Sequence, residues 1–212
     1  MKTFRLFLIV TLALLASGCS LLQSVKTDYW PFDKEKQALN LSEREKFWLK
    51  HQQQLSKIDT WSLEGKLGIR TPNDSSSAYL DWEQQNHLYT IRLSGPLGQG
   101  VAEIMGKPGW VVMNTADSRL FTADSPEQLL ARELGWTLPI SNMQHWIKGI
   151  PDPSSDTQPN LNEQGLLAEI KQNGWEIKYF DYQQFNNLWL PRKIRVSNDQ
   201  YKLTFIISEW HF

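Results

Sequence analysis

The sequence has little of several features that define whole classes of protein. Its 212 residues include one cysteine, so no disulfide can form within the chain. The longest apolar run, 6–16, falls short of the roughly 20 residues that cross a bilayer as a helix, which argues against a protein with several spanning helices. The formal net charge is -1, so no basic excess is present to attract nucleic acid.

Motifs for catalysis are also scarce. The histidines are isolated and none belongs to a His-Glu-x-x-His arrangement, so we expect no zinc site; they are His51, His87, His145 and His211. No Gly-x-Ser-x-Gly elbow occurs. Strand acids such as Asp81 and Glu103 could converge as a pair for sugar cleavage, but solvated strand faces are the more common role of such residues. We expect no enzymatic activity and no cofactor.

The N-terminus has the pattern of a secretory signal peptide. Lys2 and Arg5 form a positive region, an apolar stretch follows over 6–15, and small residues stand directly before Cys19. We interpret 1–18 as a signal peptide that is removed on export.

Cys19 would become the first residue after cleavage, and the preceding Ala-Ser-Gly resembles the lipobox of bacterial lipoproteins, although Ala16 stands where Leu is usual. The resemblance implies a covalent diacylglycerol and an N-acyl chain on Cys19. Several acyl chains, at about 0.8 kcal/mol per buried methylene, would anchor the protein firmly. Ser20 replaces the Asp that retains such lipoproteins in the inner membrane, so we expect an outer-membrane anchor facing the periplasm. An ordinary signal peptide with an incidental thiol, or a short N-terminal anchor, is the alternative.

The remaining chain divides into a tether and one domain. Residues 19–41 are polar with scattered charge, which is typical of a tether, and Ser42 with Glu45 has the spacing of a helix capping box. From Trp61 the apolar period changes to two and stays strict over 61–70, which predicts a strand. We therefore assign 42–212 to a single domain.

Short strand patterns separated by turns continue to the C-terminus. They lie at 77–83, 87–93, 101–105, 110–113, 119–122, 166–172, 175–182, 191–196 and 201–210. Asn173-Gly174 is a strong hairpin signal, and such a series predicts an antiparallel meander. Two short helices interrupt it, one capped by Ser125 and ended by Gly135, the other over 142–148 after Ser141; a loop is predicted over 151–160.

A glycine-rich segment at 95–100 connects two of these strands. It lacks the Lys and Ser/Thr of a phosphate loop and leads into a strand, so it has no helix N-terminus to meet an anion. Leu97, between Pro96 and Gly98, has only small residues beside it. Either this leucine folds back into the core, or it forms an exposed apolar finger.

These features occur in an order that resembles the LolB family of outer-membrane lipoprotein receptors. The matching segments are Cys19, Trp61-Ser-Leu-Glu-Gly-Lys-Leu-Gly-Ile-Arg70, Trp82, Leu93-Ser-Gly-Pro-Leu-Gly98, Ser125-Pro126, Leu134-Gly-Trp136, Pro139, Trp146, Gly149-Ile-Pro151, Gly174-Trp175, Tyr179 and Leu190-Pro191. They span nearly the whole of the chain that follows the signal peptide.

The resemblance implies a mainly β fold, an incomplete antiparallel barrel (a half-barrel) with short helices as a lid over an apolar cavity. It implies that lipoproteins are accepted from the periplasmic carrier LolA and inserted into the inner leaflet of the outer membrane. Partners would be the carrier, client lipoproteins and membrane lipid, and we expect a monomer. Leu97, flanked by Pro96 and Gly98, matches an exposed leucine that the family needs for insertion.

We predict that a set of apolar side chains forms the wall of an acyl-chain cavity: Leu67, Ile69, Leu80, Trp82, Ile91, Leu93, Ile104 and Tyr179 from strands, with Trp136 and Trp146 from the lid. Plain core packing requires the same residue types. The ten tryptophans are spread over strands, helices and tether, which favours a lipid-binding interior over a surface patch.

Three other functions fit parts of the pattern. A transmembrane β-barrel also alternates, but the capped helices interrupt the strand series. A lipid-anchored enzyme acting on the cell wall, or a structural lipoprotein that carries no lipid cargo, would have the same anchor.

Overall fold

In this computed structural model, the described residues are 39–95, 100 and 102–212. Their helices are α1 (Leu41–Leu55), α2 (Pro126–Leu134) and α3 (Ile140–Trp146). Their strands are β1 (Thr60–Arg70), β2 (Ser75–Gln85), β3 (Leu88–Ser94), β4 (Ala102–Lys107), β5 (Trp110–Asn114), β6 (Leu120–Ala123), β7 (Asn160–Leu161), β8 (Leu167–Gln172), β9 (Trp175–Phe185), β10 (Leu188–Ser197) and β11 (Lys202–His211).

All these strands belong to one antiparallel sheet. Its order is β6-β5-β4-β3-β2-β1-β11-β10-β9-β8-β7, so that the first strand pairs with the last in the middle of the sheet. The outermost strands, β6 and β7, do not pair with each other, and the sheet is therefore not closed into a barrel. The predicted mainly β fold, an incomplete antiparallel barrel with short helices, is confirmed.

Strict alternation in β1 corresponds to burial of one face. Trp61, Leu63, Gly65, Leu67 and Ile69 are buried, whereas the residues between them are exposed or half-buried. Side chains of a strand point alternately to its two faces, so this strand presents a continuous apolar surface to the interior. Its backbone pairs with β2 on one side and β11 on the other.

Two asparagine turns set the register of neighbouring hairpins. Asn173 and Gly174 have φ values of 52° and 79°, as a tight turn between β8 and β9 requires, so the predicted hairpin is confirmed. Asn186 and Asn187 adopt φ values of 45° and 67° between β9 and β10. That second turn was missed because the sequence pattern placed the strand ends several residues away from it.

The helix starts differ from the prediction in two places. Asn40, and not Ser42, caps α1: its side chain accepts from the backbone N–H of Glu43 at 3.0 Å, and the Glu43 carboxylate accepts from the backbone N–H of Asn40. Ser141 lies inside α3, and its backbone N–H donates to the Glu127 carboxylate at 2.8 Å. The predicted cap at Ser125 and the left-handed end at Gly135 of α2 are confirmed.

The helices cover the apolar face of the sheet. Buried side chains of α1 are Trp48, His51 and Leu55. Helix α2 contacts β5, β6 and α3, and residues of α2 and α3 line an apolar space together with residues of β1 to β5 and β11. No helix among the described residues is long and apolar enough to cross a membrane. The predicted loop 151–160 holds for most of its length, but Asn160 starts the short edge strand β7.

Gly65 allows the closest approach of β1 and β11. A Cβ at this position would overlap the carbonyl oxygen of Ile206, next to the bulge at Glu64/Gly65. Gly65→Ala should therefore lower the free energy of unfolding by about 1–3 kcal/mol, measured by urea denaturation.

Gly68 provides a matched control on the same strand, because its added Cβ would meet nothing nearer than the Thr204 carbonyl oxygen at 3.9 Å. We expect Gly68→Ala to leave stability unchanged or to raise it by up to about 1 kcal/mol. Equal destabilisation by both substitutions would contradict the close approach at Gly65.

Candidate functional site

An apolar cavity lies between the inner face of the sheet and helices α2 and α3. Its walls on the sheet are Leu67, Ile69, Leu80, Trp82, Ile91, Leu93, Ala102, Ile104, Met113, Leu203 and Phe205, and its cover is Leu130, Leu134, Trp136, Leu138, Ile140 and Met143. Every one of these side chains is apolar, and the cavity volume is about 60 Å³. This space offers no polar group to a ligand, and its volume in this structure is small.

Eight of the ten side chains predicted to form the cavity wall are brought together here: Leu67, Ile69, Leu80, Trp82, Ile91, Leu93, Ile104 and Trp136. Their contact with acyl chains stays a prediction. Most residues of the cover were not predicted from the sequence, although the apolar positions of α2 and α3 indicate them. Ala102 was not predicted either, because a small residue at a strand start has no distinctive pattern.

Trp146 and Tyr179 do not line this cavity, which corrects the predicted set. The indole N–H of Trp146 donates to Gln172 at 2.7 Å, and the hydroxyl of Tyr179 donates to the backbone oxygen of Trp146 at 2.9 Å. Both side chains are buried. Trp146 is the last residue of α3, whereas Gln172 belongs to β8 and Tyr179 to β9. They attach the helix to the sheet.

A single buried amide extends this attachment. Gln172 on β8 accepts from the indole of Trp146 and, at 3.0 Å, from the backbone N–H of Asp152. Its own N–H groups donate to the backbone oxygens of Asp152 at 2.7 Å and Ser155 at 2.6 Å. The Asp152 carboxylate in turn accepts from Asn142 of α3. Helix α3 and the loop after it are thereby held to one edge of the sheet.

Lys148 fastens the other side of α3. Its side chain is buried. The Nζ atom donates to the backbone oxygen of Ile58, just after α1, at 2.8 Å, and to that of Leu55, the last residue of α1, at 3.4 Å. Burial lowers the pKa of Lys148 to about 8, although the nearby charge of Asp59 opposes that shift. The end of α1 and the end of α3 therefore share one ammonium group.

Helix α2 is held by fewer polar contacts. Arg132 donates to the backbone oxygen of Thr122 at 2.8 Å on β6, and the hydroxyl of Tyr201 donates to the backbone oxygen of Gly135 at 3.2 Å. Glu127 joins it to α3 rather than to the sheet. Its remaining contacts are apolar, so displacement of α2 leaves few polar groups without partners.

The cavity opens where its lining becomes partly exposed. Leu93 and Ala102 face each other across β3 and β4, both are half-buried, and Leu134 of α2 is 43% exposed. Segment 95–101 connects these two strands and so begins and ends at this opening, which we call the mouth. Pro96, Leu97 and Gly98 of that segment, like Cys19, lie outside the described residues.

The described residues contain no group of three or more His, Cys, Asp or Glu side chains that could hold a metal ion.

Comparison with known proteins assigns this architecture to a family. The model of the family described as "Outer membrane lipoprotein LolB" matches residues 59–210. The chain belongs to the LolB family. Two relatives bear the name outer-membrane lipoprotein LolB: one from Pseudomonas syringae pv. syringae is 42% identical over 163 residues, 77% of this chain and 80% of its own. The other, from Pseudomonas paraeruginosa, is 39% identical over 206 residues, 97% of this chain and 95% of its own.

The fold of this LolB-family chain is also similar to that of a solved protein. A LolA superfamily protein from Nitrosomonas europaea superposes with a TM-score of 0.50 at 8% identity, over 79% of this chain and 93% of that one. At this identity the likeness concerns the fold alone. The open sheet and its helical cover are thus similar in fold to that protein.

The buried ammonium of Lys148 predicts a pH dependence of stability. Because the pKa is lowered from 10.5 to about 8 in the folded protein, the unfolded chain binds the proton more tightly between these values. The contribution of this group to the free energy of unfolding is therefore smallest below pH 8, rises from there, and is complete above the unfolded pKa.

Lys148→Met removes this titration and serves as the reference. Between about pH 7.5 and about pH 9.5 the stability of the wild type relative to Lys148→Met should rise by about 2 kcal/mol. Urea unfolding at both pH values measures it. A difference that does not change with pH would show that the ammonium is not buried as described.

Proposed function

We propose that this LolB-family protein is an outer-membrane receptor for lipoproteins. It accepts client lipoproteins from the periplasmic carrier LolA, holds their acyl chains in the apolar cavity and inserts them into the inner leaflet of the outer membrane. Anchored through acylated Cys19 and facing the periplasm, it acts as a monomer and not as an enzyme. The observation that carries this proposal is the cavity, whose lining is entirely apolar.

The size of the cavity requires that the cover moves. A volume of about 60 Å³ is too small for an acyl chain, since pockets that enclose even drug-sized ligands measure about 300–1,000 Å³. Helix α3 is attached by Gln172, Tyr179 and Lys148, whereas α2 has few polar contacts with the sheet. We infer that α2 moves outward when acyl chains enter, and that apolar contacts with the chains replace those it loses.

Differences in affinity supply the direction of transfer. Burying one chain of about sixteen carbons contributes on the order of 10 kcal/mol at about 0.8 kcal/mol per methylene. Transfer to the receptor requires only that the receptor shields the chains from water better than the donor does. Release requires that the bilayer shields them better than the receptor. The cost of displacing α2 reduces net binding, which favours release into the membrane.

Leu97 belongs to this last step. Its segment joins β3 to β4, whose residues Leu93 and Ala102 line the cavity at the mouth. The exposed leucine of the family that Leu97 matches is the reason for assigning it to insertion.

Binding at the mouth is tested by Leu134→Asp. Leu134 lines the cavity but is 43% exposed, so a charge there can be solvated in the free protein and must lose water when a chain binds. We expect affinity for a synthetic triacylated cysteine lipopeptide to fall about tenfold or more, measured by fluorescence titration.

Leu120→Asp is the control, because Leu120 is 67% exposed on β6 and does not line the cavity. It should bind the lipopeptide as the wild type does. Equal affinity of all three proteins would contradict acyl-chain binding at this cavity.

Insertion is tested by Leu97→Glu in a transfer assay with the loaded carrier and liposomes. The variant should accept labelled lipoprotein at the normal rate but insert it about tenfold more slowly, since a charge at the bilayer surface weakens apolar contact. Leu88→Glu, at the other end of β3 and 53% exposed, should do both normally.

Normal insertion by Leu97→Glu would refute the role of this leucine. Failure of the wild type to accept lipoprotein from the carrier would refute the receptor function as a whole.

A further inference from the structure

A second chamber adjoins the apolar cavity and differs from it in chemistry. Its volume is about 250 Å³, and its lining includes Gln84, Tyr89, His87, Lys107 and Gln144. Trp82 and Ile140 line both spaces, so the two adjoin at these side chains. We call this second space the polar chamber.

The register of three strands shows how the interior changes along its length. Leu80, Leu93 and Ala102 form one inward row across β2, β3 and β4 at the mouth. The next row is also apolar and consists of Trp82, Ile91 and Ile104, whereas the third consists of Gln84, Tyr89 and Gly106. The interior therefore runs from an apolar mouth to a polar far end, which matches an amphiphilic ligand.

The hydroxyl of Tyr89 is the unusual group in the third row. Its oxygen is buried and has no hydrogen-bond partner among the described residues. Burial raises the pKa of Tyr89, and the charge of Glu127 adds to the rise, so the hydroxyl stays protonated and is a donor. A buried donor without an acceptor costs about 1–3 kcal/mol, which a ligand oxygen could recover.

Two neighbours set the position of Tyr89 in the wall of the chamber. Gly106 lies opposite Tyr89, and a Cβ there would overlap the phenol ring and its oxygen. The indole N–H of Trp82 donates to the Gln84 side chain at 3.2 Å, so its polar edge faces the third row while its ring lines the apolar cavity. Trp82 thus marks the boundary between the two environments.

We propose that the polar chamber binds the glyceryl ester carbonyls of a lipoprotein anchor, with the hydroxyl of Tyr89 as donor, and that the acyl chains extend from there toward the mouth. This inference rests on the proposed function and adds an orientation to it. The ends of the chains then lie nearest to Leu93 and Ala102 at the mouth. Release begins with these ends, and the polar group leaves last.

Tyr89→Phe tests the hydrogen bond, because it removes only the hydroxyl. We expect its affinity for an ester-linked triacylated cysteine lipopeptide to fall about tenfold, while the affinity for the ether-linked analogue, which lacks those carbonyls, stays unchanged. The folded variant should be at least as stable as the wild type, since the hydroxyl has no partner in the free protein.

Tyr79→Phe is the matched control, because Tyr79 is 51% exposed and lines neither space. It should bind both lipopeptides normally. An equal loss for ester and ether ligands in Tyr89→Phe, or no loss at all, would overturn the proposed role of Tyr89.

Orientation is tested separately with spin labels. Cys19 is the one cysteine, so in the otherwise full mature chain Cys19→Ala allows a single nitroxide at His87→Cys or Ala102→Cys. A lipopeptide with a second nitroxide at carbon 5 or carbon 16 of an acyl chain is then bound, and the distance is measured by pulsed electron paramagnetic resonance.

The carbon-16 label should lie closer to position 102 and the carbon-5 label closer to position 87. Bound lipopeptide with the reverse order, or with no preferred order, would overturn the orientation while leaving the receptor function intact. Absence of any binding by the wild type would instead refute the receptor function, and the inference with it.

Discussion

The arrangement of the lid depends on one buried amide. Gln172 makes four hydrogen bonds, two through its oxygen and two through its nitrogen, to Trp146, Asp152 and Ser155. A buried amide left without these partners would cost several kcal/mol, so these bonds favour the position in which all its polar atoms are paired. They fix α3 against β8. The apolar cavity is therefore covered by one helix that is held by buried hydrogen bonds, α3, and by one that is held mainly by apolar contacts, α2.

That division suits the proposed function, in which lipid is both held and released. Apolar contacts between α2 and the sheet have no preferred direction, so acyl chains can replace them. Few hydrogen bonds break in such a movement, namely those from Arg132 to Thr122 and from Tyr201 to Gly135. The anchored α3, joined to α1 through Lys148, keeps the rest of the interior in place during such a movement. The open edge between β6 and β7 leaves the sheet free to adjust its curvature, which a closed barrel would resist.

Much of the fold could be predicted from local pattern. Alternation in β1, the Asn173-Gly174 turn and the Ser125 to Gly135 helix each depend on neighbouring residues, and each was confirmed. The capping residue of α1 was misplaced because Asn40-to-Glu43 and Ser42-to-Glu45 have the same spacing. Choosing between them requires knowing where the chain approaches the sheet, which depends on contacts far apart in sequence.

For the candidate site, the sequence predicts which residues are apolar, whereas their positions relative to one another depend on the tertiary structure. The sequence by itself determined which faces are apolar, and hence that eight of the predicted side chains would share one interior. It could not distinguish a wall from an anchor, because Trp146 and Tyr179 have the same apolar bodies as the residues of the wall. Only the tertiary structure decided that their polar atoms meet Gln172 and a backbone carbonyl across the fold.

Likewise, Gln84 and Tyr89 are ordinary strand residues until the register sets them opposite each other and beside Gly106. Pairing between strands creates such neighbours, and no local pattern encodes it.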